Sequence, residues 1–409
     1  MVVLLIHHNY PAQYLHLARH LGQQAEHRVV FLTQQGGLPI AGVEQRIYQM
    51  PVALLHGCHP YNQSHEAAVR TALAVLTACR QLRQEGLRPD VIIGHTGWGE
   101  LLLVKEAFPD SRVLGYFEFF YRATGLDVGY DPEFAPSRPD DGERLWLRNS
   151  INYLSRVACD AGHTATEWQR SLFPAAWQTD ISVLHEGIDT HEVRPDAMAR
   201  FTLADGRQLT RADEVITYVA RNLEPYRGFH SLMRALPAVL RARPQAHVVV
   251  VGAEGISYGD LPPYGGSWRA LLQAELGAQL DLSNVHFTGQ IGRMAYLQLL
   301  QVSRLHLYLT YPFVLSWSAL EALASGCLVL GSDVAPVREV ITDGENGFLV
   351  DMRAPDAVAE RMIALLADSA ALDEVRARAR HSAVSRYDLA TCCLPRWLET
   401  LAALGACRA

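Results

Sequence analysis

The sequence predicts an α/β fold: two Rossmann-like, doubly wound domains facing each other across a cleft. Three observations lead there. Short apolar runs without polar alternation recur along the chain, as expected of strands buried on both faces of a parallel sheet. Segments with helical spacing separate them, and a strand–helix–strand order implies right-handed crossovers. The alternation stops once and restarts, so the 409 residues divide into two halves, each long enough to bury its own core.

In order, Val2–His7 is apolar and strand-like, and Ala12–Leu21 has helical spacing. Val29–Thr33 and Val91–Gly94 read as strands, the second followed by a helix over Gly99–Ala107, and Val113–Phe117 is extended again. From His185 to Asp213 the chain is polar, with Gly, Pro and Asp, and reads as a linker. Beyond it Val215–Ala220 is a strand and Phe229–Ala242 a helix. Strands follow at Val248–Val251, Val285–Phe287 and Leu305–Leu309, then a helix over Ser316–Ala324 and a strand over Leu328–Gly331. Asp356–Ala367 and Leu372–Tyr387 close the pattern as helices.

Hydrophobic residues make up 49% of the chain and charged ones 19%, with a net charge of −7. That balance argues against a nucleic-acid groove or a patch for anionic membranes, which need clustered cations. Lys105 is the only lysine, which nearly excludes Schiff-base chemistry and Walker-type loops. Seven scattered cysteines without a Cys-x-x-Cys pair fit a reducing compartment better than a disulfide frame or a zinc site. Met1–Tyr10 has no basic n-region and no small-residue cleavage site, so a cytoplasmic protein is expected. Leu305–Ser332, the longest weakly charged stretch, is broken by Pro312, Glu321 and Gly326 and does not read as a membrane span. Among 17 histidines, His7-His8, His56 with His59, and His163 lack metal-ligand spacing, and Asp140 and Asp141 are directly adjacent, so no metal is expected.

Two segments carry chemistry. In Tyr308–Gly326 a strand ends at a proline and a helix begins near Leu315–Ser316. A helix N-terminus has free N–H groups and a partial positive charge, so it is a ready phosphate site. Glu321, about one and a half turns further on, can accept hydrogen bonds from a ribose diol. The plain alternative is an ordinary βα unit with a solvated Glu321. In Val219–Phe229 a strand ends, a loop follows, and a helix begins after Gly228. Arg221 and Arg227 flank that loop and can converge on one diphosphate. The plain alternative is a surface ion pair, Arg227 with Glu224 for example.

Together with Ser332–Val350 (SDVAPVREVITDGENGFLV), these segments resemble the retaining GT-B glycosyltransferases of family 4, closely over about 215–350. In the first half, HHNYPAQYLHLARHL, PDVIIGHTGWGE and VLGYFEFFYRATGLDVGYDPEF are similar to a branch that opens Asn-[Phe/Tyr]-Pro-x-Gln. The resemblance implies an acceptor domain over 1–190, completed by helices at about 385–409, and a nucleotide-sugar donor domain over 191–384. It implies that Arg221 and Arg227 hold the donor diphosphate, Arg227 replacing the family's lysine, with the amides of Val314, Leu315 and Ser316. Glu321 matches the glutamate associated with the ribose. Phe313 stands where the family has another glutamate near the donor sugar, a departure from the pattern. Gln290, Ile291 and Arg293 match the base-contact turn, and Arg293 in place of an acid leans toward a uracil nucleotide; plain solvation is its alternative. Glu118 replaces a histidine near the transferring carbon, its alternative being an ion pair with Arg122. Asn9, Gln13, His95 and Trp98 fall on the acceptor side, where Pro11-Ala12 replaces the usual Gly-Gly.

The expected activity is retaining transfer of a sugar from a nucleotide diphosphosugar, preferably a UDP-sugar, to an acceptor hydroxyl without metal or other cofactor. The acceptor is a glycan, a lipid-linked or a small molecule, and Arg221, Arg227 and Glu118 are the expected catalytic residues. Peripheral membrane contact has no support from the charge. Two rivals stand beside it: a sugar-nucleotide epimerase, which Phe313 weakens, and a non-catalytic GT-B partner subunit, which the lost glutamate motivates.

Overall fold

The computed structural model describes residues 1–50, 57–368 and 371–406, so His56 and Cys407 lie outside the described residues. The chain forms two compact units: Met1–Ala123 with Arg138–Gly187 and Leu389–Ala409, and Thr124–Ser137 with Ile188–Asp388. Residues 124–137, placed by the sequence within 1–190, thus pack with the second unit.

The first unit is built on seven strands: β1 (Val2–Ile6), β2 (Arg28–Thr33), β3 (Val43–Ile47), β4 (Val91–His95), β5 (Arg112–Tyr116), β6 (Ala161–Thr164) and β7 (Ile181–Val183). They run parallel in the order β3-β2-β1-β4-β5-β6-β7. The unalternating apolar run of β1 has a simple cause, because both faces of the sheet are covered. Val3 and Leu5 face a cluster with Leu17, Leu21, Trp397 and Leu401, while Leu4 and Ile6 face Val75, Leu82 and Leu101. Trp397 belongs to the closing helix Leu394–Ala406 and donates from Nε1 to the carbonyl of His185 at 3.0 Å.

The second unit starts with a small hairpin, β8 (Phe201–Thr202) and β9 (Gln208–Leu209), inside the stretch expected to be only a linker. That expectation is corrected: Phe201, Leu203 and Leu209 are buried against Val215, Val249 and Leu299. Six parallel strands follow: β10 (Val215–Asn222), β11 (His247–Ala253), β12 (Val285–Gly289), β13 (Leu305–Tyr308), β14 (Val329–Ser332) and β15 (Phe348–Val350). Their order is β12-β11-β10-β13-β14-β15. Both orders are Rossmann-like, and each has its switch point beside the first strand, where ligands bind outside the carboxyl ends.

The helix expected over Gly99–Ala107 is reduced to Val104–Ala107. Gly99 has φ +87°, and a Cβ there would lie 2.2 Å from the carbonyl of Ala68, so the chain must turn before it can coil. The long helix Gln63–Gln84 and strands β3, β6, β7 and β15 escape the sequence reading. Among the described residues no helix is long and apolar enough to cross a membrane.

Candidate functional site

In the second unit a single turn, Pro225–Arg227, joins β10 to the helix Phe229–Ala242. Gly228 makes the turn possible, with φ +70° and Leu309 Cβ only 2.2 Å from where a Cβ would stand. The turn drives Arg227 inward, to 9% exposure. Its Nη1 donates to Thr310 Oγ1 at 2.7 Å, its carbonyl accepts from Tyr218 Oη at 2.7 Å, and its guanidinium lies 4.9 Å from the Tyr258 ring centroid. Among the described residues no carboxylate pairs with it.

Glu224 explains that isolation. The sequence offers it as Arg227's partner, but its fully buried carboxylate accepts from the amides of Ser257, Tyr258 and Gly259 at 3.2, 3.2 and 2.9 Å. A nest of N–H groups has taken the acid and left the cation. Arg221, exposed near the end of β10, makes no hydrogen bond or ion pair among the described residues. Phe313 is buried, its ring 5.4 Å from Tyr226 and 5.1 Å from Tyr258, so the departure from glutamate belongs to an aromatic wall.

Of the three amides expected at the phosphates, that of Ser316 is engaged, donating to Tyr308 Oη at 2.7 Å. Those of Val314 and Leu315 have no partner among the described residues. Ser316 is the N-cap of the helix Trp317–Ala324, in which Glu321 is the fifth residue. Glu321 is not solvated: it accepts from Tyr296 Oη at 2.7 Å and from Arg293. Arg293 also reaches Glu192 at 3.4 Å, so neither plain solvation nor a free approach to a nucleobase describes it. Gln290 is exposed and Ile291 half-buried beside Gly289, whose φ is +66°. Segment 124–137 is pinned to this unit by His230–Asp131 at 3.1 Å, Tyr226–Asp127 at 3.0 Å and Arg234–Glu133 at 2.6 Å.

In the first unit the carboxyl ends of β1, β4 and β5 gather His7, His8, His95 and Glu118. His95 is buried and stacked on Trp98, with ring centroids 3.7 Å apart. The amide of Gly97 donates to His95 Nδ1 at 2.8 Å, which places the ring proton on Nε2, and Nε2 donates to Glu118 Oε2 at 3.2 Å. Arg122 is not the partner of Glu118, because it donates to the carbonyls of Ser171 and Leu172. Burial pushes His8 down to about 4 and His163 to about 3, so both rings are neutral near pH 7.

His95, Trp98 and Glu118 line a cavity of about 180 Å³ with Tyr121 and Arg148. Asn9 and Gln13 do not line it. Asn9 is tied through its amide to His7 Nδ1 at 3.0 Å, and Gln13 lies in the short turn Ala12–Tyr14. Ala12 has φ +46°, the left-handed conformation that a glycine takes without cost. A larger cavity of about 620 Å³, bordered by Arg83, Arg88, Lys105 and Arg112, lies at the opposite, amino-terminal ends of β4 and β5. Parallel sheets bind ligands at their carboxyl ends, so the smaller cavity is the candidate site. Among the described residues no three His, Cys, Asp or Glu side chains are grouped as metal ligands would be.

Residues 25–193 match the model of the glycosyl transferase family 4 group, and residues 204–383 that of the glycosyl transferases group 1. The chain belongs to family 4 of the GT-B glycosyltransferases. It is 28% identical over 253 residues to phosphatidyl-myo-inositol mannosyltransferase of Mycobacterium tuberculosis, covering 59% of each chain. It is 30% identical over 223 residues to D-inositol 3-phosphate glycosyltransferase of Streptomyces avermitilis, covering 51% of this chain and 44% of that one. The match therefore spans three fifths or less of these relatives' length. In fold, the chain is similar to sucrose-phosphate synthase of Thermosynechococcus elongatus, with TM-score 0.71 and 17% identity over 99% and 100% of the two chains. It is also similar to Anabaena HepE in complex with UDP-glucose, with TM-score 0.66 and 16% identity over 98% and 100%.

Sequence reasoning does not single out Arg148, Thr310 or Tyr296. Tyr296 follows Arg293 by three residues on the helix Arg293–Val302, a spacing that shares a face and was open to being read. Nothing local in the sequence marks Arg148.

Proposed function

We propose that this glycosyltransferase moves a sugar, with retention and without metal, from a uridine diphosphosugar held by the second unit to an acceptor hydroxyl held by the first. One observation carries the reading: Arg227 is a buried guanidinium with hydroxyl and aromatic partners but no acid. A buried charge without a counter-charge costs several kcal/mol, on the order of what a ligand anion would return. Arg221 and the unpartnered amides of Val314 and Leu315 fit a diphosphate as the completing anion.

In this reading the glycosidic C–O bond breaks as negative charge grows on the departing phosphate, and these donors meet it. The acceptor hydroxyl attacks from the same face and passes its proton to that phosphate, so no enzymic nucleophile is required. Glu321, held by Tyr296 and Arg293, receives the ribose diol, and Glu118, oriented by His95, positions the acceptor hydroxyl. Uridine is favoured because Thr288–Gly292 offers no carboxylate to guanine, and the Anabaena neighbour is described with UDP-glucose. The names of the mycobacterial and streptomycete relatives both specify an inositol bearing a phosphate ester, which supports an acceptor of that kind.

Phe313 favours a second reading, a non-catalytic partner subunit, since aromatic packing replaces a polar contact to the donor sugar. The test is to incubate the full chain, in EDTA, with UDP-glucose or GDP-mannose and an inositol phosphate, and to read the product by NMR. A product with the donor's anomeric configuration is expected. An inverted product contradicts retention, and nucleotide binding without hydrolysis or transfer supports the second reading.

A further inference from the structure

We propose that the cavity at the carboxyl end of the first sheet takes one polyol ring bearing a phosphate ester, and that Arg148 anchors the phosphate. The proposal rests on the transfer reading above and specifies its acceptor. Arg148 ends the helix Asp141–Arg148 and lines the cavity together with Glu118 and His95. It makes no hydrogen bond or ion pair among the described residues, whereas nearby arginines are paired: Arg144 with Asp141, Arg156 with Asp180 and Arg170 with Glu167.

Arg148 is nonetheless placed. Its guanidinium carbon lies 3.9 Å from the centroid of the Tyr121 ring. Tyr121 is fixed in turn by buried Asn149, which accepts from its amide at 3.0 Å and donates to its carbonyl at 2.8 Å. A guanidinium resting on an aromatic face keeps its charge and its edge of N–H donors, the geometry that suits phosphate oxygens.

The rest of the cavity suits a hydroxylated ring. Glu118 can accept from hydroxyls, and His95 keeps its carboxylate in place. A cavity of about 150 Å³ accepts a six-membered ring, so about 180 Å³ holds one ring and not two. A neutral polyol would leave Arg148 unused, and an apolar ring would leave Glu118 unsolvated. With a net charge of −7 the chain's overall field does not attract anions, so recognition falls on this one cation.

The test titrates the full chain, saturated with UDP, with D-inositol 3-phosphate, with myo-inositol, and with vesicles containing phosphatidylinositol against neutral vesicles. Inositol phosphate, free or in the vesicle, is expected to bind at least about tenfold more tightly than inositol. Binding of the soluble phosphate identifies a free acceptor and binding of the vesicle a lipid-linked one, and either supports the proposal. Arg148→Gln should abolish the preference and Arg148→Lys restore part of it, with melting temperature and UDP affinity unchanged in both. Equal affinity for inositol and its phosphate, no binding of either phosphate form, or an intact preference in Arg148→Gln overturns it. Failure of the wild-type chain to bind UDP overturns the donor reading instead, and is read before acceptor is added.

Discussion

The two units treat their acids in opposite ways. At the carboxyl end of the second sheet Glu224 is held by three amides, Glu321 by Arg293 and Tyr296, and Asp131 by His230. Among the described residues no carboxylate pairs with buried Arg227. At the carboxyl end of the first sheet burial lowers the pKa of His7, His8 and His163, so these rings are neutral near pH 7, and Glu118 keeps an open carboxylate oriented by His95. In the proposed reading, the second sheet makes an anion seat by satisfying its acids internally, and the first presents Glu118 as a hydroxyl seat. In that reading a chain of net charge −7 holds a diphosphate by local attraction.

Four substitutions probe that contrast. The largest expected effect is that of Glu118→Gln, which should lower kcat by about 10²–10⁴-fold while leaving UDP affinity unchanged. Steady-state kinetics with calorimetry checks it, and a parallel loss of UDP affinity would break the division of labour between the units. Next, Arg227→Met should cost UDP affinity about 30–1000-fold. The same variant should melt higher without ligand, because an apolar side chain replaces an unpaired buried charge. A lower melting temperature would make the guanidinium a structural group.

Smaller effects should follow from the supporting residues. Arg293 is 45% exposed, so its ion pair with Glu321 contributes at most about 1 kcal/mol. Arg293→Gln should weaken UDP no more than about fivefold, and less in high salt, which titrations at two ionic strengths would show. Smallest is a pH effect from Glu100, whose fully buried carboxyl is pushed up to about 8 by burial. The folded chain holds that proton longer than the unfolded one, so its contribution is intact below pH 4.5 and is lost as pH rises toward 8. Glu100→Gln should flatten that decline in melting temperature between pH 5 and 9. A slope unchanged by the substitution would assign it to other groups.

Much of the architecture was legible because doubly covered strands have few polar positions. Val215–Ala220, Val248–Val251 and Phe229–Ala242 show the patterns they adopt. The edge strand Val43–Ile47 escaped because three of its five positions are polar, and Phe201 and Leu209 escaped because two-residue strands leave no period to read. In the second unit, motif spacing singled out Arg221, Arg227 and Glu321 as candidates. Spacing could not reveal that Glu224 turns away from Arg227, because its partners at 257–259 are distant in sequence. Arg148 was illegible for the same reason, since its platform, Tyr121, lies on another element and only the fold brings them together.

The most direct test is calorimetric titration of the full chain with UDP in EDTA, with the variants alongside. Saturable one-to-one binding is expected, retained by Glu118→Gln and Arg148→Gln and lost by Arg227→Met. UDP binding that survives Arg227→Met undiminished would contradict the assignment of the buried, acid-free arginine as the seat of the donor diphosphate.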